Sequence, residues 1–195
     1  MPLPTSYCVE MDHIEDTYII QRILEGETNL FVHIVRQYQR MIYTIVYKII
    51  QNNDTTEDLV QEIFIKVYQQ LDKYQKTSKF STWLYRVAYN ETISYVRKNK
   101  KHTDITKVDY ALYEEEIAED IEGIETEVLL KRLEDLLKRM PQDDAFIITL
   151  FYMKELSIQE ICEITNLSMS NVKVKLHRIR KFMYAELKNN AYENR

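Results

Sequence analysis

The sequence predicts an all-α protein of two small helical domains joined by an acidic linker. Three observations carry this. Only 2 glycines and 3 prolines occur in 195 residues, too few breakers for the many turns of a sheet-rich fold. Apolar residues recur at helical spacing along almost the whole chain. Between residues 103 and 127 that pattern gives way to ten acidic side chains against the single base Lys107, a net charge of −9. Such a stretch repels itself and has little apolar surface to bury, so it does not fold alone.

Each element follows from its own signals. Ile19, Ile20, Ile23 and Leu24 mark a first helix that Gly26 can close. Leu30, Ile34, Tyr38, Met41, Ile45 and Ile49 stripe a long second helix, which "QNND" breaks. Asp54 and Glu57 have the spacing of a capping box. The helix that follows turns Leu59, Ile63, Val67 and Leu71 inward and Asp58, Glu62, Lys66 and Gln69 outward. After the polar loop "DKYQKTSK", Ser81 is placed to cap a fourth helix. Beyond the linker, Leu129, Leu133, Leu136 and Leu137 mark a fifth helix, and Pro141 suits the first turn of a sixth carrying Phe146, Ile147, Leu150 and Phe151. The expected organisation is an N-terminal extension over 1–15, a helical domain over 16–102, the linker over 103–126 and a second helical domain over 127–190.

Several classes are excluded. Cys8 and Cys162 lie far apart, and the four histidines lack ligand spacing. No nucleophile–base pair, glycine-rich phosphate loop or metal cluster appears, so no enzymatic activity, metal or cofactor is expected. The N-terminus lacks the pattern of a secretory signal, and no apolar run reaches the roughly 20 residues of a membrane span. A cytoplasmic protein is expected.

Two stretches carry a functional signal. In the first, "SIQEICEITNLSMSNVKVKLHRIRKFM", Ser157 and Glu160 form a capping box, Asn166 tolerates the positive φ of a tight turn, and Ser168 can cap the next helix. On that helix Val172, Leu176 and Ile179 face inward. From Asn171 to Met183 there are five cations and no acid. Short helix, tight turn and basic second helix form the helix-turn-helix pattern, whose second helix enters the major groove. Ser170, Asn171, Lys173 and Val174 are candidates for base edges, and Lys175 and Arg178 for bases or phosphates.

The second stretch is "KFSTWLYRVAYNETISYVRKNKK". Trp83, Leu84, Val87 and Ala88 share one side and suit a core. Lys79, Tyr85, Arg86, Tyr89, Asn90, Arg97 and Lys98 suit a single strand, with rings stacking on bases while cations follow phosphates. The net charge of −5 is no obstacle, because the excess acid lies largely in the linker.

One duplex-reading helix and one single-strand surface on two tethered domains belong together in transcription initiation. Here the chain resembles sigma factors of the sigma-70 family, in the compact extracytoplasmic-function (ECF) group. "NLFVHIVRQYQRMIYTIVYKII" is similar to the first helix of the family's second domain, and "DTTEDLVQEIFIKVYQQLDKY" to the helix that docks on the clamp of the polymerase β′ subunit. "FSTWLYRVAYNETISYVRK" is similar to the helix that melts and reads the minus-ten promoter element. The stretch from Met140 to Met183 is similar to the domain that reads the minus-thirty-five element.

The resemblance implies a promoter-specificity subunit without chemistry of its own. It places Asp58, Gln61 and Glu62 on the clamp, makes the loop from Lys73 to Lys79 a capture site for a flipped-out base, and gives Lys173, Val174 and Arg178 base contacts. The implied partners are core RNA polymerase, through its β′ clamp and β flap, promoter DNA, and a cognate anti-sigma factor, often membrane-bound. The chain departs from the family pattern at Glu155 and Asn166, where many members have glycine. It departs also at Ser94, where aspartate is common, and at Val174, which replaces a small polar residue. Two other readings fit parts of the pattern. One is a helix-turn-helix regulator binding duplex alone as a dimer. The other is a helical interaction module, which has no need of the basic helix.

Overall fold

In the computed structural model, residues 16–99 and 126–192 are described, and among them every regular element is helical. The extension over 1–15, the acidic tract over 103–125, and Lys100 and Lys101 lie outside the described residues. The chain divides into two units, Met1–Lys98 and Asn99–Arg195.

The first unit holds α1 (over 16–24), α2 (Phe31–Ile50), α3 (Asn53–Gln69) and α4 (Phe80–Asn99). At the end of α1, Gly26 has φ of 112°. Its N–H reaches the carbonyl of Ile23 and the Glu27 N–H reaches that of Arg22, the paired closure of a Schellman motif. Helix α2 ends on Gln51 in the left-handed region, bonded back to the Tyr47 carbonyl at 2.9 Å. The Asn52 side chain then accepts the Thr55 N–H at 2.9 Å and caps α3. The expected Asp54–Glu57 box is thus displaced. Asn52 is already extended and reaches the free N–H first, leaving Asp54 inside the first turn, where its charge suits the helix dipole. Likewise α4 begins at Phe80, one residue before the expected cap Ser81.

The core of this unit is formed by Ile34, Ile42 and Ile45 of α2, Ile63 and Val67 of α3, and Phe80, Leu84 and Ala88 of α4. Phe80, fully buried, meets Tyr38 at 5.7 Å, Tyr74 at 5.4 Å and Trp83 at 5.6 Å between ring centroids. The Tyr74 hydroxyl donates to the Ser78 carbonyl at 2.7 Å. This cluster pins the loop ahead of α4 and so sets where α4 starts. The Tyr38 hydroxyl donates to the buried Asp16 carboxylate and ties α1 to α2. Tyr85 is also buried, and burial, with the Asp16 carboxylate adding to it, pushes its phenol up to about 12.

The second unit holds α5 (Thr126–Arg139), α6 (Gln142–Met153), α7 (Ile158–Thr165) and α8 (Met169–Tyr192). Pro141 sits one residue ahead of α6, as its N-cap. Helix α6 is the centre of the unit, with Ala145, Phe146, Ile147, Ile148 and Leu150 all buried. Ser157 and Glu160 complete the predicted capping box of α7. Asn166 ends α7 at φ 58°, and the Ser168 hydroxyl accepts the Asn171 N–H at 3.2 Å at the head of α8. Val172, Leu176 and Ile179 are wholly buried.

Glu155 holds φ of 52° between α6 and α7, where a side chain costs about 1–2 kcal/mol. Glu155→Gly should relieve most of that cost. Against it stands the roughly 0.5–1 kcal/mol by which glycine favours the unfolded chain. Denaturant titration is therefore expected to show a small net gain for Glu155→Gly and a loss above about 1 kcal/mol for β-branched Glu155→Val.

An unfolded tyrosine ionises near 10, whereas Tyr85 holds its proton to about 12. Its contribution to stability is intact below pH 10 and is lost as pH rises to 12, because the unfolded state ionises first. The parent protein should lose about 2 kcal/mol across that window relative to Tyr85→Phe, measured as the gap between their denaturation midpoints. Parallel curves would refute it.

Candidate nucleic-acid interface

Helix α8 presents a narrow outward face. With the buried set at Val172, Leu176 and Ile179, helical periodicity turns Ser170, Val174 and Arg178 to the opposite side, and all three are exposed. Val174 is 43% exposed at the centre of that face. Asn171 and Lys173 are exposed on its flanks. His177 lies beside Val174 and Arg178 and is exposed too. Sequence reasoning passed over it, although its spacing of three from Val174 and seven from Ser170 puts it on the same face.

Lys175 differs from its expected role. Its ammonium pairs with the carboxylate of Asp144, a residue 2% exposed in the first turn of α6. Its side chain, 35% exposed, reaches back to α6 rather than outward with Arg178. A partner 31 residues away leaves no local signal, so a pattern of cations could not reveal it.

In α4 the surface is a single polar stripe. Arg86, Asn90, Ser94 and Arg97 recur at helical spacing and are all exposed, with Lys98 alongside and Lys79 exposed just before the helix. Tyr85 and Tyr89 do not join it: they are 5% and 9% exposed. The expectation that these two rings stack on bases is corrected. The helix buries eleven of its residues, and the aromatic bodies go to the core because each buries large apolar area. Trp83 packs inside as expected, at 6% exposed. In the loop before α4, Gln75, Lys76 and Thr77 are exposed, while Tyr74 is buried.

On α3, Asp58, Gln61 and Glu62 are exposed on one side. A cavity of about 410 Å³ opens beside them, lined by Gln39, Arg40 and Tyr43 of α2 with Glu57, Val60 and Gln61 of α3. The Tyr43 hydroxyl donates to Asn53 Oδ1 at 3.1 Å, and its ring stacks on Tyr47 at 6.0 Å. These α2 residues were not singled out in the sequence, where α2 was read only for its buried stripe. Lys66 of α3 pairs with Glu91 of α4, which links the acidic face to the basic stripe. Among the described residues no helix is long and apolar enough to cross a membrane.

Known proteins match this arrangement in both halves. Residues 34–102 match the family model described as Sigma-70 region 2, and residues 130–183 that of Sigma-70, region 4. The ECF RNA polymerase sigma factor SigW of Bacillus subtilis is 30% identical over 177 residues, covering 87% of this chain and 95% of its own. The ECF RNA polymerase sigma-E factor of Escherichia coli is 28% identical over 178 residues, covering 87% and 93%. Among solved structures, CnrH in complex with the cytosolic domain of CnrY has a TM-score of 0.63 at 17% identity, covering 92% of this chain and 99% of that one. The sigma factor RpoE of Bartonella quintana, in complex with the anti-sigma factor NepR, has a TM-score of 0.61 at 21% identity, covering 81% and 96%. A unit matching region 2, a unit matching region 4 that carries the basic helix α8, and near-full-length likeness to SigW together place the chain in the ECF group of the sigma-70 family of RNA polymerase sigma factors.

Proposed function

We propose that the chain is a promoter-specificity subunit that docks on core RNA polymerase, reads two promoter elements and helps hold the DNA open. The observation that carries this reading is the division of labour between the units. One exposes a ring-free stripe of cations and amides on α4, and the other a helix-turn-helix with an outward face centred on Val174. Neither surface has catalytic work to do; the polymerase supplies the chemistry.

In this reading α8 enters the major groove at the minus-thirty-five element. Arg178 and Lys173 address guanine edges or phosphates, Ser170 and Asn171 offer short polar contacts, and Val174 meets a thymine methyl. The α4 stripe follows the backbone of the displaced strand at the minus-ten element, with Arg86, Arg97, Lys98 and Lys79 on phosphates and Asn90 on a base edge. The loop from Lys73 to Lys79 receives a base taken out of the stack, a step costing a few kcal/mol. Asp58, Gln61 and Glu62 dock on the β′ clamp, and the second unit on the β flap. The chain acts where the chromosome is, in the cytoplasm. Likeness to sigma factors solved with CnrY and NepR supports a cognate anti-sigma partner covering these same faces. The dimeric-regulator alternative leaves the α4 stripe and the first unit's match to region 2 without a role.

Run-off transcription on fragmented genomic DNA, with core polymerase from the same cells, tests the reading. Discrete new transcripts should appear with the chain present. They should fall by at least about tenfold when Asp58, Gln61 and Glu62 are changed together to alanine, which for an interface core is a modest loss of about 1.4 kcal/mol. Tight duplex binding by the chain alone, with no new transcripts, would overturn the proposal in favour of the regulator.

The α4 assignment makes a separate prediction. In binding of holoenzyme to a pre-opened promoter, changing Arg86 and Arg97 together to glutamine should lower the slope of log affinity against log salt by about 1.4, since each single-strand phosphate contact contributes about 0.7. An unchanged slope would remove both residues from the DNA path.

A further inference from the structure

We infer that Asp144 is a positioning residue for promoter reading, and that Lys175, although it lies in the recognition helix, serves as its latch rather than as a DNA contact. This rests on the reading of α8 as the helix that enters the minus-thirty-five element.

The apolar contacts of α8 set which side of the helix faces inward. Val172, Leu176 and Ile179 are all aliphatic and all wholly buried. Aliphatic contacts are non-directional and tolerate small slides and rotations. An ion pair is different. The Lys175 ammonium must meet one carboxylate, and that carboxylate is fixed. Asp144 stands in the first turn of α6, the most buried helix of the unit, and its side chain is 4% exposed. Its negative charge also suits the positive end of α6. A slide or rotation small enough for the aliphatic contacts to tolerate would still draw the Lys175 ammonium away from the acid. The buried carboxylate would then lose its ion pair with Lys175, and taking one partner from a buried charge is costly. The pair therefore fixes both the rotation of α8 and its position along its own axis. Those are the two coordinates that decide where Ser170, Val174 and Arg178 stand in a groove.

The electrostatic consequence is equally direct. A lysine whose charge is already matched by a buried acid releases no counterions when DNA arrives. Lys173 and Arg178 then carry the phosphate and base contacts of the helix's first half, and Lys175 adds nothing to salt dependence.

The test uses holoenzyme containing the full chain. The probe is a promoter fragment recovered from the run-off experiment, compared with the same fragment whose minus-thirty-five element is scrambled. Lys173→Ala and Arg178→Ala are the controls for the parent reading, and each should weaken binding. Asp144→Asn, Lys175→Met and the double variant test the latch. Asp144→Asn should lower discrimination between the two fragments severalfold although residue 144 touches no DNA. The double variant should lose no more than the worse single variant, as expected for two residues acting as one unit. Its salt slope should equal the parent's. If Lys175→Met does not fold because it takes the ion pair from the acid, the double variant, which removes both charges of the pair, still decides through its slope. A slope lower by about 0.9 in the double variant, with Asp144→Asn silent, makes Lys175 a phosphate contact and overturns the latch. If both control variants bind like the parent, the minus-thirty-five reading itself falls, and the positioning role falls with it.

Discussion

Four helices, α3, α4, α7 and α8, each follow a left-handed backbone residue that carries a side chain. The chain has two glycines in 195 residues, and only Gly26 serves a described turn. The remaining positive-φ positions among the described residues are Gln51, Lys76, Glu155 and Asn166. Each stands just ahead of an element that matters: Gln51 before α3, Lys76 before α4, Glu155 before α7, Asn166 before α8. A left-handed residue with a Cβ costs about 1–2 kcal/mol, so these turns hold only because packing on both sides over-determines them. Ring contacts at Phe80 do this for the α4 turn, and the Ser157–Glu160 and Ser168 caps do it around Glu155 and Asn166. Where Cβ-bearing residues hold such turns, the helix angles are stiffer than glycine would leave them.

The same dependence explains which features could be read from the sequence. Capping chemistry is local, and so the α7 box, the Asn166 turn and the Ser168 cap were legible as sequence pattern. So were the apolar stripes of α2, α3 and α8, whose period survives any tertiary arrangement. The failures all involve partners chosen at a distance or between neighbours of equal merit. Asn52 and Asp54 are both good caps, and only the backbone at Gln51 decides for Asn52. Tyr85 and Tyr89 could pack or stack. The number of residues that α4 buries decides for packing. Lys175 looks like any cation of a basic helix until Asp144 of α6 is brought beside it.

Charge is arranged with the same economy of position. The exposed cations of α4 recur at helical spacing on one stripe, while the rings that might have joined them lie inside. A stripe without rings attracts phosphates and offers Asn90 as its main group for a base edge, so on its own it holds a strand without strongly reading it. Its neighbour across the Lys66–Glu91 pair is the acidic side of α3. Opposite charge on adjacent helices of one unit favours different partners for each, since a polyanion is repelled from the α3 side and drawn to the α4 side.

In the proposed reading, recognition falls more heavily on α8, where the centre of the face is apolar. A valine on a thymine methyl excludes water and prefers one base, yet it forms no hydrogen bond that a wrong base would leave unmade. Discrimination at that step is therefore smaller than a bidentate arginine gives, within the range of about 1–3 kcal/mol per mismatched pair. Selectivity of useful size has to come from adding contacts: Val174 with Arg178 on the same face, and the duplex element with the opened one. Addition works only if the contacts fall due at the same moment, which requires α8 to sit at one rotation and one depth. On that reading, a face with an apolar centre makes the orientation of its helix, held from behind at Lys175 and Asp144, part of what the promoter is read with.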